Sequence, residues 1–182
     1  MTQAISASSQ VVPSSSASAS SASSQEAVVP PQSSQEALAA YAQAKAQEEA
    51  TDIEIDLLEA NFRIGQVTSE EFQNQKISLE QQKAMYELQA DQQEVLIPMF
   101  QPEEGWVDTS NPEALFTKTR ELKPQEDALE LELERLELEY ASGNITRDEF
   151  LQQSEASYQQ EFLVEQQLDW LEDMLELMGY DD

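Results

Sequence analysis

Between Ala128 and Tyr140 the chain reads ALELELERLELEY, the Leu/Glu alternation expected of a half-buried strand. The alternation changes parity at Arg135. Leu129, Leu131 and Leu133 occupy odd positions; Leu136, Leu138 and Tyr140 occupy even ones. A strand would turn half of these side chains to the wrong side of a sheet. Leu129, Leu133, Leu136 and Tyr140 instead fall on one helix face, and Glu favours helices over strands. The segment predicts a helix whose apolar face is widened by Leu131 and Leu138. A wide face predicts burial against more than one neighbour.

The same periodicity predicts four helices in an all-α chain. The first spans 35–64, and its Ala-rich beginning (EALAAYAQAKAQEEA) is so weakly amphipathic that it is expected to project beyond a bundle. The second spans 69–97, with Phe72, Leu79 and Tyr86 at seven-residue steps, and Pro98 stops it. An irregular connector follows over 98–124, with a short helix signalled by Asn111 as cap and Pro112 at the first position. The third helix is expected after Pro124 and ends near Gly143. The fourth spans Thr146 to Met178, with Val164, Leu168, Leu171, Leu175 and Met178 in a coiled-coil-like seam. The predicted organisation is a tail over 1–34, a helical hairpin over 35–97, the connector over 98–124 and a second hairpin over 125–182.

The two hairpins are copies of one unit. Gly65-Gln-Val-Thr-Ser-Glu-Glu-Phe-Gln-Asn-Gln75 recurs 78 positions later as Gly143-Asn-Ile-Thr-Arg-Asp-Glu-Phe-Leu-Gln-Gln153. Gly65 and Gly143 suit left-handed helix C-caps. Thr68 and Thr146 are placed to cap the following helix, with Glu71 and Glu149 completing capping boxes and Val67 and Ile145 as staples. Phe72 and Phe150 then return an aromatic ring toward the preceding helix. The Gly-to-Glu spacing also matches the second half of a calcium-binding loop. There, however, Leu138, Tyr140 and Ser142, or Ala60, Phe62 and Ile64, would occupy the first three ligand positions, and this excludes a calcium site.

This turn resembles the short helical hairpin family called SHOCT, found near the ends of many bacterial and phage proteins. The matching residues are Gly65, Val67, Thr68, Glu71 and Phe72, then Gly143, Ile145, Thr146, Glu149 and Phe150. The chain departs from that family in carrying Gln75 and Gln153 where Lys is common, in its longer helices and in its internal duplication. The resemblance implies a hairpin fold and a tendency to oligomerise or to act as an accessory module; it implies no reaction.

Composition narrows the function. The 182 residues include 37 acidic and nine basic side chains, a formal net charge of −28, with neither His nor Cys. Thiolate and imidazole chemistry are therefore absent, and an enzyme would have to work with carboxylates alone. Four Gly and two Trp are sparse material for the clefts in which carboxylate pairs operate, so we expect no catalytic residues, no cofactor and no metal. The charge opposes direct binding to nucleic acid and to anionic membrane surfaces, and no apolar run reaches the length of a membrane span. Residues 1–34, rich in Ser, Ala, Gln and Pro with Glu26 as their only charge, read as a disordered tail. They serve as a passive tail, as an arm that orders on a partner or as a type III secretion-like leader, and they lack the pattern of a secretory signal.

Protein partners remain. Lys118, Arg120 and Lys123 lie near Phe100, Trp106 and Phe116 in the connector. Either the aromatics plug the bundle end while the bases pair with nearby acids, or the group is a partner-binding loop. In the last helix Leu163, Leu168, Trp170, Leu171, Met174, Leu175 and Met178 form an apolar stripe on an anionic surface, divided between internal core and intermolecular contact. The two hairpins either fold on each other as a four-helix bundle or stay extended and pair between subunits. Elongation and homo-oligomerisation are the expectation.

In general character the chain is similar to phage internal scaffolding proteins, although it ends in Gly179-Tyr-Asp-Asp182 rather than a basic hairpin. That similarity implies a non-enzymatic virion-assembly protein with a coat or portal partner, in host cytoplasm or virion. Two alternatives are an acidic adaptor, chaperone-like or secreted regulator of a basic partner, and a DNA-mimicking inhibitor. The glutamines of the second helix dilute the carboxylate rows that mimicry needs.

Overall fold

The computed structural model describes residues 33–180. They form four helices: α1 (Ser34–Arg63), α2 (Ser69–Glu94), α3 (Pro112–Ala141) and α4 (Arg147–Leu177). There is no strand among the described residues. α1 pairs with α2 and α3 with α4 as antiparallel hairpins, and α1 also packs on both α3 and α4. The hairpins thus fold on each other within one chain. The Ser/Ala-rich stretch read as a disordered tail lies outside the described residues, except for Ser33, which caps α1, and Ser34, its first residue.

Both hairpin turns follow from local sequence. Gly65 and Gly143 adopt φ of 76° and 71°, conformations that carry no penalty only without a Cβ. The Gly65 N–H donates to the Phe62 carbonyl at 3.0 Å, and Gln66 N–H to Asn61 O at 2.9 Å. Gly143 N–H to Tyr140 O (2.9 Å) and Asn144 N–H to Glu139 O (2.8 Å) repeat the arrangement. Thr68 and Thr146 each accept a bond from the backbone of the glutamate three residues on, and that glutamate accepts one in return. These bonds hold the Glu71 and Glu149 carboxyls below their ordinary range. Phe72 stacks on Phe62 at 4.3 Å between centroids, and Phe150 on Tyr140 at 5.3 Å.

Three expectations are corrected. The third helix does not begin after Pro124; it starts at Pro112, capped by Asn111, and runs unbroken through the proline. The ring is tolerated because Pro124 sits on the exposed face, while Leu115 and Leu122 before it are buried against Leu171 and Leu175, with Leu129 after it packed on the same cluster. The Ala-rich half of α1 does not project. Ala37, Ala42, Ala44, Ala46 and Ala50 are buried, and of these Ala42, Ala46 and Ala50 pack against α3 and α4, whose close approach their small side chains permit. Finally, the apolar face of α3 is narrower than expected: Leu131 and Leu138 remain 67% and 68% exposed.

The two copies differ in what surrounds them. α4 is covered by α3 on one face and by α1 on another, and buries Phe150, Ser154, Tyr158, Phe162 and Leu171. α2 touches only α1, and buries Ala90 and Gln93. Its seam (Phe72, Lys76, Leu79, Lys83, Tyr86) stands where α4 places Phe150, Ser154, Ser157, Glu161 and Val164. Two cross-helix ion pairs support it, Lys76–Glu59 at 2.6 Å and Lys83–Asp52 at 2.7 Å.

Candidate interaction surfaces

Three places carry side chains that the packing of residues 33–180 leaves available or unbalanced. The first is the bundle end formed by the connector. Phe100, Trp106 and Trp170 meet edge to face, with centroids 4.9 Å apart for Phe100–Trp106, 5.7 Å for Trp106–Trp170 and 6.2 Å for Phe100–Trp170. The ring of Phe116 packs edge-on against Tyr180 at 5.6 Å. Lys118 lies 5.3 Å from the Trp106 ring and pairs with Glu121 at 3.2 Å; Lys123 pairs with Glu126. Arg120 is exposed, with no ion-pair partner among the described residues. The aromatics therefore plug the bundle end, and two of the three bases are held by neighbouring acids.

The stripe on α4 divides. Leu171 and Leu175 are buried in the core with Leu115, Leu122 and Val164, so they are unavailable as partner contacts. A helix packed on two sides turns most of an apolar stripe inward. Leu168, Trp170, Met174 and Met178 pack on that core while staying partly exposed.

The second place is the seam where α1 lies on hairpin two. Glu54 accepts a bond from the Tyr140 hydroxyl (2.7 Å) and pairs with Arg147 Nε (3.1 Å); Arg147 also reaches Thr51 Oγ1 at 3.4 Å. The Tyr140 phenol is pushed up to about 12 by burial and by the Glu54 carboxylate. Along the same seam, burial and neighbouring acids raise Glu49, Glu137, Glu161 and Glu165, and push the Tyr41 and Tyr158 phenols above their ordinary value. Glu161 is pushed up to about 7, first by burial, then by Glu165 on its own helix and Glu130 on α3. Lys45 of α1 opposes the shift, and Glu126 of α3 adds to it. Sequence reading missed this cluster because these glutamates look like any others on a solvated face. Only packing takes them out of water.

A carboxyl raised on folding stabilises most below its unfolded pKa and loses that contribution as pH rises through the folded one. The Glu161 contribution is thus expected to fade between about pH 4.5 and 7. Glu161→Gln should make the protein more stable than the parent at pH 8 by about 1 kcal/mol, a value reduced for solvent screening of a half-exposed group, and by nothing near pH 4. Urea denaturation at the two pH values checks this; equal stability at pH 8 would contradict it.

The third place is the outer side of α2 with the segment that follows it. Ile77, Met85 and Leu88 are exposed on the helix, and Val95, Leu96 and Met99 after it. No helix among the described residues is long and apolar enough to cross a membrane. No family model matches the chain, and neither a curated protein nor a solved structure matches it. What the chain defines by itself is a duplicated helical-hairpin protein with one helix covered on a single face.

Proposed function

We propose that this chain is a non-enzymatic assembly protein that works through protein–protein contacts, in the manner of a phage scaffolding protein, and that its first partner is a second copy of itself. The observation that carries this reading is the unequal covering of equivalent positions. Ile53, at 9% exposure, is buried against Leu136 and Phe150 where α1 lies on hairpin two; Leu131, 78 positions on, stands 67% exposed. α4 likewise has a neighbour on its second face and α2 has none. The contact made once inside the chain is thus open at both ends, with α2 of one copy offering a seat for α3 of the next. Arg120 on α3 has no ion-pair partner among the described residues and Glu87 is exposed on α2, whereas Arg135 is held by Glu132 and Glu139, so the apolar side chains rather than the charges carry this contact. A head-to-tail contact of this kind propagates rather than closes.

Sedimentation velocity tests the reading. The sedimentation coefficient is expected to climb with protein concentration, and to stop climbing in the Ile77→Glu, Leu131→Glu chain, both positions being exposed and harmless to the fold. A parent chain that stays monomeric at all concentrations would remove the reading. An acidic adaptor for a basic partner is a second reading, favoured by the cleft described next.

A further inference from the structure

The connector, the end of α2 and α4 enclose a cleft of about 260 Å³ whose lining is of two kinds, apolar and acidic. Its apolar surface is Met99, Phe100, Phe162 and Trp170. Met99 is 81% exposed, an unbranched side chain standing in solvent beside two aromatic rings. Its polar lining includes Glu94 at the end of α2 and Glu165, Asp169 and Asp173 on successive turns of α4. None of these four carboxylates has an ion-pair partner among the described residues, whereas every Lys and Arg there except Arg120 is paired with an acid. The Glu165 carboxyl is raised by burial and then by Asp169, Glu126, Glu94 and Glu130, all of one sign.

We propose that this cleft is a docking site for a basic, amphipathic segment of a partner protein, which lays apolar side chains on Met99, Phe100 and Trp170 and sets Lys or Arg among Glu94, Glu165, Asp169 and Asp173. Charge complementarity selects the occupant. An anionic or neutral segment leaves four like charges facing one another, whereas a cation neutralises them and gains the faces of aromatic rings. The protein contains a small version of this recognition, since Lys118 lies over Trp106, whose ring meets both Phe100 and Trp170. The cleft includes Glu94 of α2 and Met99 after it, but none of Ile77, Glu80, Glu87 and Leu131 lines it, so this assignment stands whether or not copies associate.

The test separates a shaped site from the general attraction of any cation to a chain of net charge −28. The full chain is titrated with a short helical peptide of Lys, Arg and Leu in amphipathic spacing, and Trp emission is followed together with calorimetry. Neutralising the cleft (Glu94→Gln, Glu165→Gln, Asp169→Asn, Asp173→Asn) is expected to weaken binding roughly tenfold or more. Neutralising four exposed acids elsewhere (Asp56→Asn, Glu87→Gln, Asp127→Asn, Glu134→Gln) should weaken it by about twofold at most. Met99→Ser, which touches no core, should weaken binding without altering the thermal melt. The same pattern is expected in the Ile77→Glu, Leu131→Glu chain. Equal weakening by the two charge sets, or binding that leaves Trp emission unmoved, would overturn the assignment.

Discussion

Phe150→Ala is expected to lower stability by about 3–4 kcal/mol, whereas Phe72→Ala, the same substitution at the equivalent position of the other copy, should cost about 1 kcal/mol. Both phenylalanines follow the same capping box, and both stack on an aromatic ring of the preceding helix. They differ in cover. Phe150 is fully buried among Ala50, Ile53 and Leu136, with Ile145 and Leu151 alongside, so removing its ring leaves a cavity bounded by three helices. Phe72 is only partly buried, and its partner Phe62 is 37% exposed, so water reaches what the ring vacates. Urea denaturation of the two variants measures the difference. A melting temperature lower by roughly 10 °C is expected for Phe150→Ala at this chain length. Equal costs would mean that hairpin one is covered as fully as hairpin two, by another molecule or by a packing other than the one described.

Ala46→Leu is the second large effect, at about 2 kcal/mol, and it acts on one interface. Ala46 is fully buried between Leu133 of α3 and Tyr158 of α4, with Ala42 one turn before it. An isobutyl group there has no free volume and must force α1 away from hairpin two. Neither hairpin turn is touched, so helix content should persist while the junction loosens. Trp106 and Trp170 report on the far end of hairpin two, and circular dichroism reports on all four helices. The two transitions should coincide in the parent and separate in the variant. Ala84→Leu on the exposed side of α2 serves as the control and should change stability by no more than about 0.5 kcal/mol. Coincident transitions in Ala46→Leu, with stability unchanged, would show that α1 does not sit where we describe it.

Much of the architecture is legible in local sequence, because it rests on short-range chemistry. A glycine that must adopt positive φ, a threonine whose hydroxyl reaches three residues on, and a glutamate that reaches back are interactions within one turn of chain. They fall at the same positions in both copies. The parity change at Arg135 is equally local, and it decides helix over strand for 128–140. Asn111 and Pro112 announce a helix start, although the sequence reading stopped that helix at Pro124. Proline ends a helix only when its ring or its missing N–H lies where packing cannot compensate. Whether Leu115, Leu122 and Leu129 share one buried cluster is a fact about α4, not about the residues beside the proline.

The candidate contacts divide along the same line. That Phe100, Trp106 and Trp170 would meet is not written in positions 70 residues apart; the antiparallel run of α3 and α4, with the connector folded over their end, brings them together. Leu171 and Leu175 carry the same helical spacing as Leu168 and Met178, so the sequence marks a stripe without marking which part faces inward. Nor does composition distinguish Glu161, pressed into the α1 seam, from Glu172 on open surface. Residues 33–180 therefore owe their turns, repeat and helical character to the sequence alone, since those depend on contacts within a few residues, whereas the run of α3 through Pro124 does not. The docking of α1, the bare side of α2 and the acidic aromatic cleft were decided by the tertiary structure, because burial belongs to pairs of surfaces and no single stretch of chain encodes both.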